Sequence, residues 1–322
     1  TARGNGVGSF GQASRWIASA LSPPTVYAFD FDGDGDRDVL IMVSSNDGHT
    51  CAVRTYRNDG AGFFSFASEF RVEAGPSNAV AGDFNQDGRL DFATAHKGAY
   101  GAFYSVNVHL GNGDLTFQPW VHYPVGFGPA HIEAADLDGD GLLDLVTGNI
   151  GVDNTGDETV SVLMGQPGGT FAPAFTYYAP YDYEGPGLSG LAVGDADGDG
   201  NLDLMTSSHG SNDVAFYENR GDGTFTFRYR YGLGERASSL YYADVTGDGV
   251  GDLLSITHGY AAYSPHLTVL RGADGSMPTP REPAAPPELA GTHRMSAVYP
   301  NPFNPSARFT LQVAEAQAVT VA

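Results

Sequence analysis

Cysteine is nearly absent. Cys51 is the one cysteine among 322 residues, so no internal disulfide can form. Small folds that work outside cells lean on disulfides, so a chain of that kind without them needs another cross-link. Basic residues are also scarce: 16 Lys and Arg stand against 38 Asp and Glu, for a formal net charge of −22. That balance argues against nucleic-acid binding, which calls for a basic stripe. No run of 18 apolar residues occurs, so no transmembrane helix is expected. Catalytic signatures are thin. The chain has no Gly-x-Ser-x-Gly elbow, no His-Glu-x-x-His and no Gly-rich phosphate loop.

What the chain does have is glycine, 44 residues of it, and one nine-residue stretch written five times. The clearest copy is Asp195-Ala-Asp-Gly-Asp-Gly-Asn-Leu-Asp203. The others run over residues 30–38, 83–91, 136–144 and 244–252, with first aspartates 53, 53, 59 and 49 residues apart. A period near 50 marks a repeat architecture. Positions 1, 3, 5 and 9 carry side-chain oxygens: Asp30, Asp32, Asp34 and Asp38; Asp83, Asn85, Asp87 and Asp91; Asp136, Asp138, Asp140 and Asp144; Asp195, Asp197, Asp199 and Asp203; Asp244, Thr246, Asp248 and Asp252. Position 6 is always glycine (Gly35, Gly88, Gly141, Gly200, Gly249). A glycine turn folds alternate oxygens back onto one centre. Position 7 (Asp36, Arg89, Leu142, Asn201, Val250) then offers its backbone carbonyl. Hard oxygen donors in a flexible loop suit Ca²⁺, about five ions per chain with a structural role. Asn85 and Thr246 each remove one carboxylate, so loops two and five are expected to bind less tightly. The competing reading is a set of solvated Asp-Gly hairpin turns.

An EF-hand shares the opening letters but needs a bidentate Glu at position 12 and flanking helices. Position 12 here is Ile41, Thr94, Thr147, Thr206 or Ser255, and apolar strand-like runs follow each loop. A second motif recurs as Gly221-Asp-Gly-Thr-Phe225, with looser copies ending at Phe171, Phe117, Phe64 and Phe10. Loops and turns together resemble FG-GAP/VCBS repeats, the calcium-loop blades of integrin α-type β-propellers, over roughly residues 5–277. The resemblance implies an all-β fold built from four-stranded blades, with the calcium loops on one face and partners on the other. It says little about the ligand.

Each unit reads as four short strands, which fits that architecture. In the first unit they fall at 25–30, 39–44, 52–57 and 65–72. The last unit has three, at 239–244, 251–256 and 266–270. Residues 12–21 read as one isolated strand, able to complete the last blade and close a five-bladed ring. A longer parent with more blades is the alternative. The propeller domain is placed at 1–272 and a Pro/Ala-rich linker at 273–297. From 298 to 322 the chain carries Tyr299-Pro-Asn-Pro-Phe-Asn-Pro305 and a strand at 308–313. That heptapeptide is similar to the start of the Ig-like C-terminal sorting domain of type IX secretion substrates. It implies a Bacteroidota-like bacterium, contact with the secretion machinery, and a secreted or cell-surface location. The start at Thr1 is read as a removed signal peptide or a missing N-terminus.

Beyond the loops, three second strands end in histidine: His96, His209 and His258, with Tyr100, Tyr260 and Tyr263 nearby. One reading is a ligand-binding ring; the other is that the histidines hydrogen-bond neighbouring loops. An insertion at 177–187 brings Tyr181 and Tyr183, exposed recognition aromatics or an extended strand. Arg220-Gly-Asp222 lies inside the recurring turn, and the turn accounts for it. The phenylalanines that end the turns are expected in the core between blades. The leading functional expectation is a secreted, calcium-stabilised binding or adhesion module for a glycan or protein. Self-association is possible. The alternatives are a polysaccharide-active enzyme with its site at the propeller mouth, or a surface-layer or filament subunit.

Overall fold

The computed structural model describes residues 25–44, 51–98, 104–151, 158–179, 187–233, 236–258, 265–272, 309–312 and 318–321. The isolated strand at 12–21, Phe10, the linker, the heptapeptide, and Tyr100, Tyr181, Tyr183, Tyr260 and Tyr263 lie outside them. The described residues contain strands and no helix, and they fall into two units.

The first unit holds three sheets. Sheet one is β1 (Thr25–Phe29), β2 (Asp38–Ser44), β3 (Cys51–Asn58) and β4 (Phe64–Val72), in that order. Sheet two is β5 (Pro76–Gly82), β6 (Asp91–His96), β7 (Ser105–His109) and β8 (Val121–Pro124). Sheet three opens with β9 (Pro129–Ala135), β10 (Asp144–Asn149) and β11 (Thr159–Leu163). A small hairpin, β12 (Gly165–Gln166) with β13 (Thr170–Phe171), interrupts it before β14 (Phe175–Tyr178) completes it. Every pairing is antiparallel between neighbours along the chain, the meander of a propeller blade.

The second unit holds sheet four, β15 (Leu188–Gly194), β16 (Asp203–Ser208), β17 (Asp213–Asn219) and β18 (Phe225–Gly232). In sheet five, β19 (Arg236–Ala237) and β20 (Tyr241–Ala243) share one side of β21 (Asp252–His258), and β22 (Pro265–Leu270) takes the other. A separate pair, β23 (Phe309–Gln312) and β24 (Ala318–Val321), lies within the C-terminal segment, β23 inside the strand expected at 308–313.

The second strand of each sheet follows the loop motif directly. β6, β10 and β16 are buried at every position, as strands covered on both faces must be. The first strands are less regular. Register shifts occur at Pro76/Asn78 in sheet two, beside Asn149 in sheet three and at Leu188/Gly190 in sheet four. In sheet five the same irregularity widens into a break: of the strand expected at 239–244 only Tyr241–Ala243 forms, and a separate short strand, Arg236–Ala237, precedes it. Ser238 hydrogen-bonds the Ile256 carbonyl at the break, and Leu240 turns into the core beside Met205 and Leu253. Burial of Leu240 is the physical reason for the bulge.

Sheets pack through the loop and turn residues. The residue at position 2 points inward in loops one to four. Phe31 joins Leu40, Val53 and Phe92 between sheets one and two, and Phe84 joins Ala95, Leu145 and Leu163 between sheets two and three. The turn phenylalanine of the next sheet meets it edge-on: Phe117 on Phe31 at 5.5 Å, and Phe171 on Phe84 at 5.7 Å. Such pairs add about 0.5–1.5 kcal/mol beyond area burial. Phe225 is buried as well, whereas Phe64 is only half-buried.

One turn departs from its siblings. Leu115 has φ +68° where the other turns use Gly62, Gly169 and Gly223. The left-handed region costs a leucine about 1–2 kcal/mol. Leu115 is fully buried in the first core cluster, and its carbonyl accepts hydrogen bonds from Thr55 Oγ1 (3.1 Å) and Ser68 Oγ (2.7 Å) of the neighbouring sheet. Packing and these two bonds offset the strain. Leu115→Ala and Leu115→Gly are both expected to lose about 2–5 kcal/mol in urea unfolding. Glycine should be no worse than alanine, reversing the usual alanine advantage of about 0.5–1 kcal/mol. A clear alanine advantage would remove strain from the account.

Candidate metal centres

The five loops share one hydrogen-bond plan. The position-1 carboxylate grips the turn from inside. Asp30 accepts from Gly33 and Gly35, Asp136 from Gly139 and Gly141, Asp195 from Gly198 and Gly200, and Asp244 from Gly247 and Gly249. Asp83 accepts from Asp87 and Gly88. Position 4 is left-handed as well as position 6, for example φ +75° at Gly33 and +91° at Gly35. The sequence held that signal, because four of the five copies place glycine at position 4. Loop two has Gln86 there instead, at φ +59°, and its side-chain amide donates to the Gly141 carbonyl of loop three at 2.8 Å. Position 5 in turn accepts from the position-7 amide in every copy: Asp34 from Asp36, Asp87 from Arg89, Asp140 from Leu142, Asp199 from Asn201 and Asp248 from Val250.

Position 9 does something the sequence did not disclose. Asp38, Asp91, Asp144, Asp203 and Asp252 are all buried. One carboxylate oxygen of each accepts the position-2 amide of its own loop, from Phe31, Phe84, Leu137, Ala196 or Val245, at 2.8–3.1 Å. The other accepts an amide about 20 residues later, from Asn58, Gly111, Gly165, Asn219 or Gly272. The aspartate thus latches the loop to the end of the third strand. Burial raises the pKa of Asp38 and Asp91, and carries Asp144 to about 6 and Asp203 to about 7. The amide bonds pull the other way, and nearby loop carboxylates add to the rise.

Three loops bring three carboxylates together, with ligand oxygens within 4.8 Å of one another: Asp30, Asp32 and Asp38; Asp136, Asp138 and Asp144; Asp195, Asp197 and Asp199. Loops two and five, with Asn85 and Thr246, form no such carboxylate triplet among the described residues. The position-3 oxygens differ between copies. Thr246 Oγ1 is buried without a hydrogen-bond partner. Asp32 Oδ2 also makes no hydrogen bond and is met by the Arg57 guanidinium at 2.6 Å. Arg89 approaches Asp87 at 3.7 Å in loop two. Clustered hard oxygens with unused acceptor capacity fit a hard divalent cation.

The strand-end histidines are engaged in the fold. His96 is fully buried, Nε2 lies 2.7 Å from Thr94 Oγ1, and burial lowers its pKa to about 4. His209 Nδ1 is 3.2 Å from the Ala237 carbonyl, and His258 Nε2 is 3.2 Å from Ser238 Oγ, so both anchor on the same short stretch. Ser44 and Asn149 end the equivalent strands, and Asn149 bonds Thr147, Thr159 and Ser161. Of the insertion, Tyr177 and Tyr178 belong to β14, with Tyr178 largely exposed. Arg220 and Asp222 flank a turn in which Asp222 accepts from the Thr224 amide.

A family model described as "FG-GAP-like repeat" matches residues 30–94, 98–147 and 206–255, just over half of the chain. No curated protein matches in sequence. Among solved structures, the α-L-arabinofuranosidase Arb93A of Fusarium graminearum, bound to an iminosugar inhibitor, is 13% identical with a TM-score of 0.54, over 82% of this chain and 80% of that one. The V. cholerae biofilm matrix protein Bap1 is 14% identical with a TM-score of 0.43, over 79% of this chain and 38% of that one. A structure titled Dos1 propeller is 11% identical with a TM-score of 0.43, over 68% and 50%. The chain therefore spans well under half of Bap1 and half of the Dos1 propeller. At these identities the likeness is one of fold.

Latch and ligand roles separate experimentally. Asp91→Ala strands the buried Phe84 and Gly111 amides, which costs about 1–3 kcal/mol each. Its destabilisation should persist in EDTA. Asp87→Ala, at an exposed position, should destabilise in calcium and change little in EDTA. Equal behaviour of the two variants in chemical unfolding would show that position 9 is no latch.

Proposed function

The chain belongs to the FG-GAP-like repeat family, and from that premise we propose that it is a calcium-stabilised β-propeller acting outside the cell as a binding or adhesion module for a glycan or a protein. The observation that carries the metal half is the gathering of carboxylates at Asp30, Asp32 and Asp38, at Asp136, Asp138 and Asp144, and at Asp195, Asp197 and Asp199. Without a cation these groups repel one another; burial is the main cause of the raised pKa values of Asp144 and Asp203, and the neighbouring loop carboxylates add to it. Loops one, three and four are the stronger sites. Loops two and five, with Asn85 and Thr246, are the weaker ones. The ion's contribution is structural: it cross-links residues of one loop, and its binding free energy adds to folding. A chain with one cysteine gains from it the stapling that disulfides give elsewhere.

The binding half rests on what the loops leave over. Their carboxylates are committed to the turn and, in this reading, to metal. Partner contacts then fall to the rest of the surface. The C-terminal segment is assigned to type IX-like export on the strength of its heptapeptide.

The test is thermal unfolding of the purified chain in excess Ca²⁺ and again after EDTA, with bound metal measured on the same sample. We expect at least three calcium ions per chain and a drop in midpoint of many degrees. A site at a hundred times its dissociation constant contributes about 2.7 kcal/mol. An unchanged midpoint with no bound calcium would falsify the metal assignment.

A further inference from the structure

Sheet two turns a polar stripe towards sheet one. Across β6 and β7, His96 stands opposite Ser105, Thr94 opposite Asn107, and Phe92 opposite His109. Across β7 and β8, Asn107 stands opposite His122. Trp120 precedes His122 by two residues, on the same side of the strand and about 7 Å along it. Its ring lies 5.9 Å from that of His109. An apolar interface of this kind needs no such stripe.

Glu73, in the connection from β4 to β5, reaches over it. Its Oε2 accepts from Ser105 Oγ at 2.9 Å and Asn107 Nδ2 at 3.0 Å, and lies 3.4 Å from His122 Nδ1. No described hydrogen bond or ion pair of Glu73 falls on Oε1. Burial pushes its pKa up, but the bonds from Asn107 and Ser105, together with the neighbouring His96 and His122, outweigh burial and hold the carboxyl below its ordinary value. The side chain is 24% exposed, that of His122 is 35% exposed, and Trp120 is 41% exposed. Beneath them Asn107 is fully buried. Its Nδ2 is committed to Glu73, and its Oδ1 has no partner. Buried acceptors are rarely left unused, and this one belongs to the same amide that holds Glu73.

The parts form one recognition set. One carboxylate oxygen is locked by its donors and the other is open. An imidazole stands beside it, a half-exposed indole lies on the same strand face, and an unused amide oxygen sits below. A sugar ring has an apolar C–H face for the indole and a hydroxyl edge for the acceptors, which is the mix of apolar surface and few placed polar groups that small-ligand sites show. A net charge of −22 disfavours anionic polymers. We propose that the surface formed by Glu73, His122 and Trp120 binds a neutral pyranose unit of a glycan. Trp120 packs under the ring, and Glu73 and His122 take its hydroxyls. Asn107 acts through Glu73 and an ordered water. The proposal rests on the binding-module reading and supplies its ligand class.

The experiment is isothermal titration of the calcium-loaded full chain with cellohexaose, mannohexaose, maltohexaose and chitohexaose, followed by Trp120 emission in a Trp16→Phe background that leaves Trp120 as the one tryptophan. At least one sugar should bind and shift that emission. Trp120→Ala and Glu73→Gln should each weaken binding ten-fold or more at unchanged unfolding midpoint, while Trp120→Phe retains most of it. If Trp120→Ala disturbs the fold, Trp120→Phe and Glu73→Gln carry the comparison. Binding that Trp120→Ala and Glu73→Gln leave unaltered overturns this surface but keeps the module reading. Normal calcium loading with no binding to any of the four sugars overturns the glycan assignment, and leaves the module reading to a protein ligand.

Discussion

The structure depends on a buried carboxylate that bonds two distant backbone amides. At position 9 of each repeat an aspartate accepts the amide of position 2 and an amide some twenty residues ahead. A neutral side chain with one acceptor cannot do both, and a longer acid would not fit between two strands held at sheet spacing. Burying the charge is unfavourable, as the raised pKa values of Asp38, Asp91, Asp144 and Asp203 show. The fold accepts that cost five times. In return each loop closes, the second strand starts at a fixed residue, and the third strand ends against the loop that began it.

The packing of sheet on sheet follows from the same nine residues. The amide of position 2 is held by the latch, and its side chain is thereby turned into the core. Where that residue is Phe31 or Phe84, it meets a turn phenylalanine and the interface is filled. Sheet four has Ala196 at that place. A cavity of about 40 Å³ remains there, lined by Ala196, Met205, Phe216, Tyr242 and Leu253 among others. Residues of the acidic loop therefore also decide how well neighbouring sheets pack, and substitutions at position 2 act on loop closure and packing together.

Much of this was legible in the sequence, and the boundary of legibility has a physical cause. The loops, the second strands and the turns are local, so spacing alone placed them: residues 39–44 read as strand, and Asp38–Ser44 is one. The inward Phe117 and Phe171 followed from the recurring turn. The latch was not legible, because an aspartate at position 9 has the same letter whether it faces an ion or an amide twenty residues away. Leu115 hid for a related reason: a leucine at a glycine position looks like drift until its side chain is found in the core. His96 read either as part of a ligand-binding ring or as a histidine bonded within the fold, because a period of two cannot say whether the face it occupies meets solvent or another sheet. Glu73 sits in a three-residue connection with no motif at all. Its role exists only through Ser105 and Asn107, more than thirty residues on.

The two ends of sheet two do different work, and its second strand sets their distance. β6 begins at the latch, Asp91, and ends at His96, six residues and roughly 17 Å later. The acidic loop lies before the first end. Glu73 and Ser105 lie towards the other, and His122 stands midway, opposite Asn107. Trp120, just before β8, lies back towards the first end beside His109, whose ring stacks on Phe92 next to the latch. No described hydrogen bond joins the loop to Glu73, so a cation proposed for the loop would act on this surface through packing alone. Its influence passes through the stability of the sheet as a whole. Coupling of that kind changes how much of the chain is folded before it changes the arrangement around Glu73.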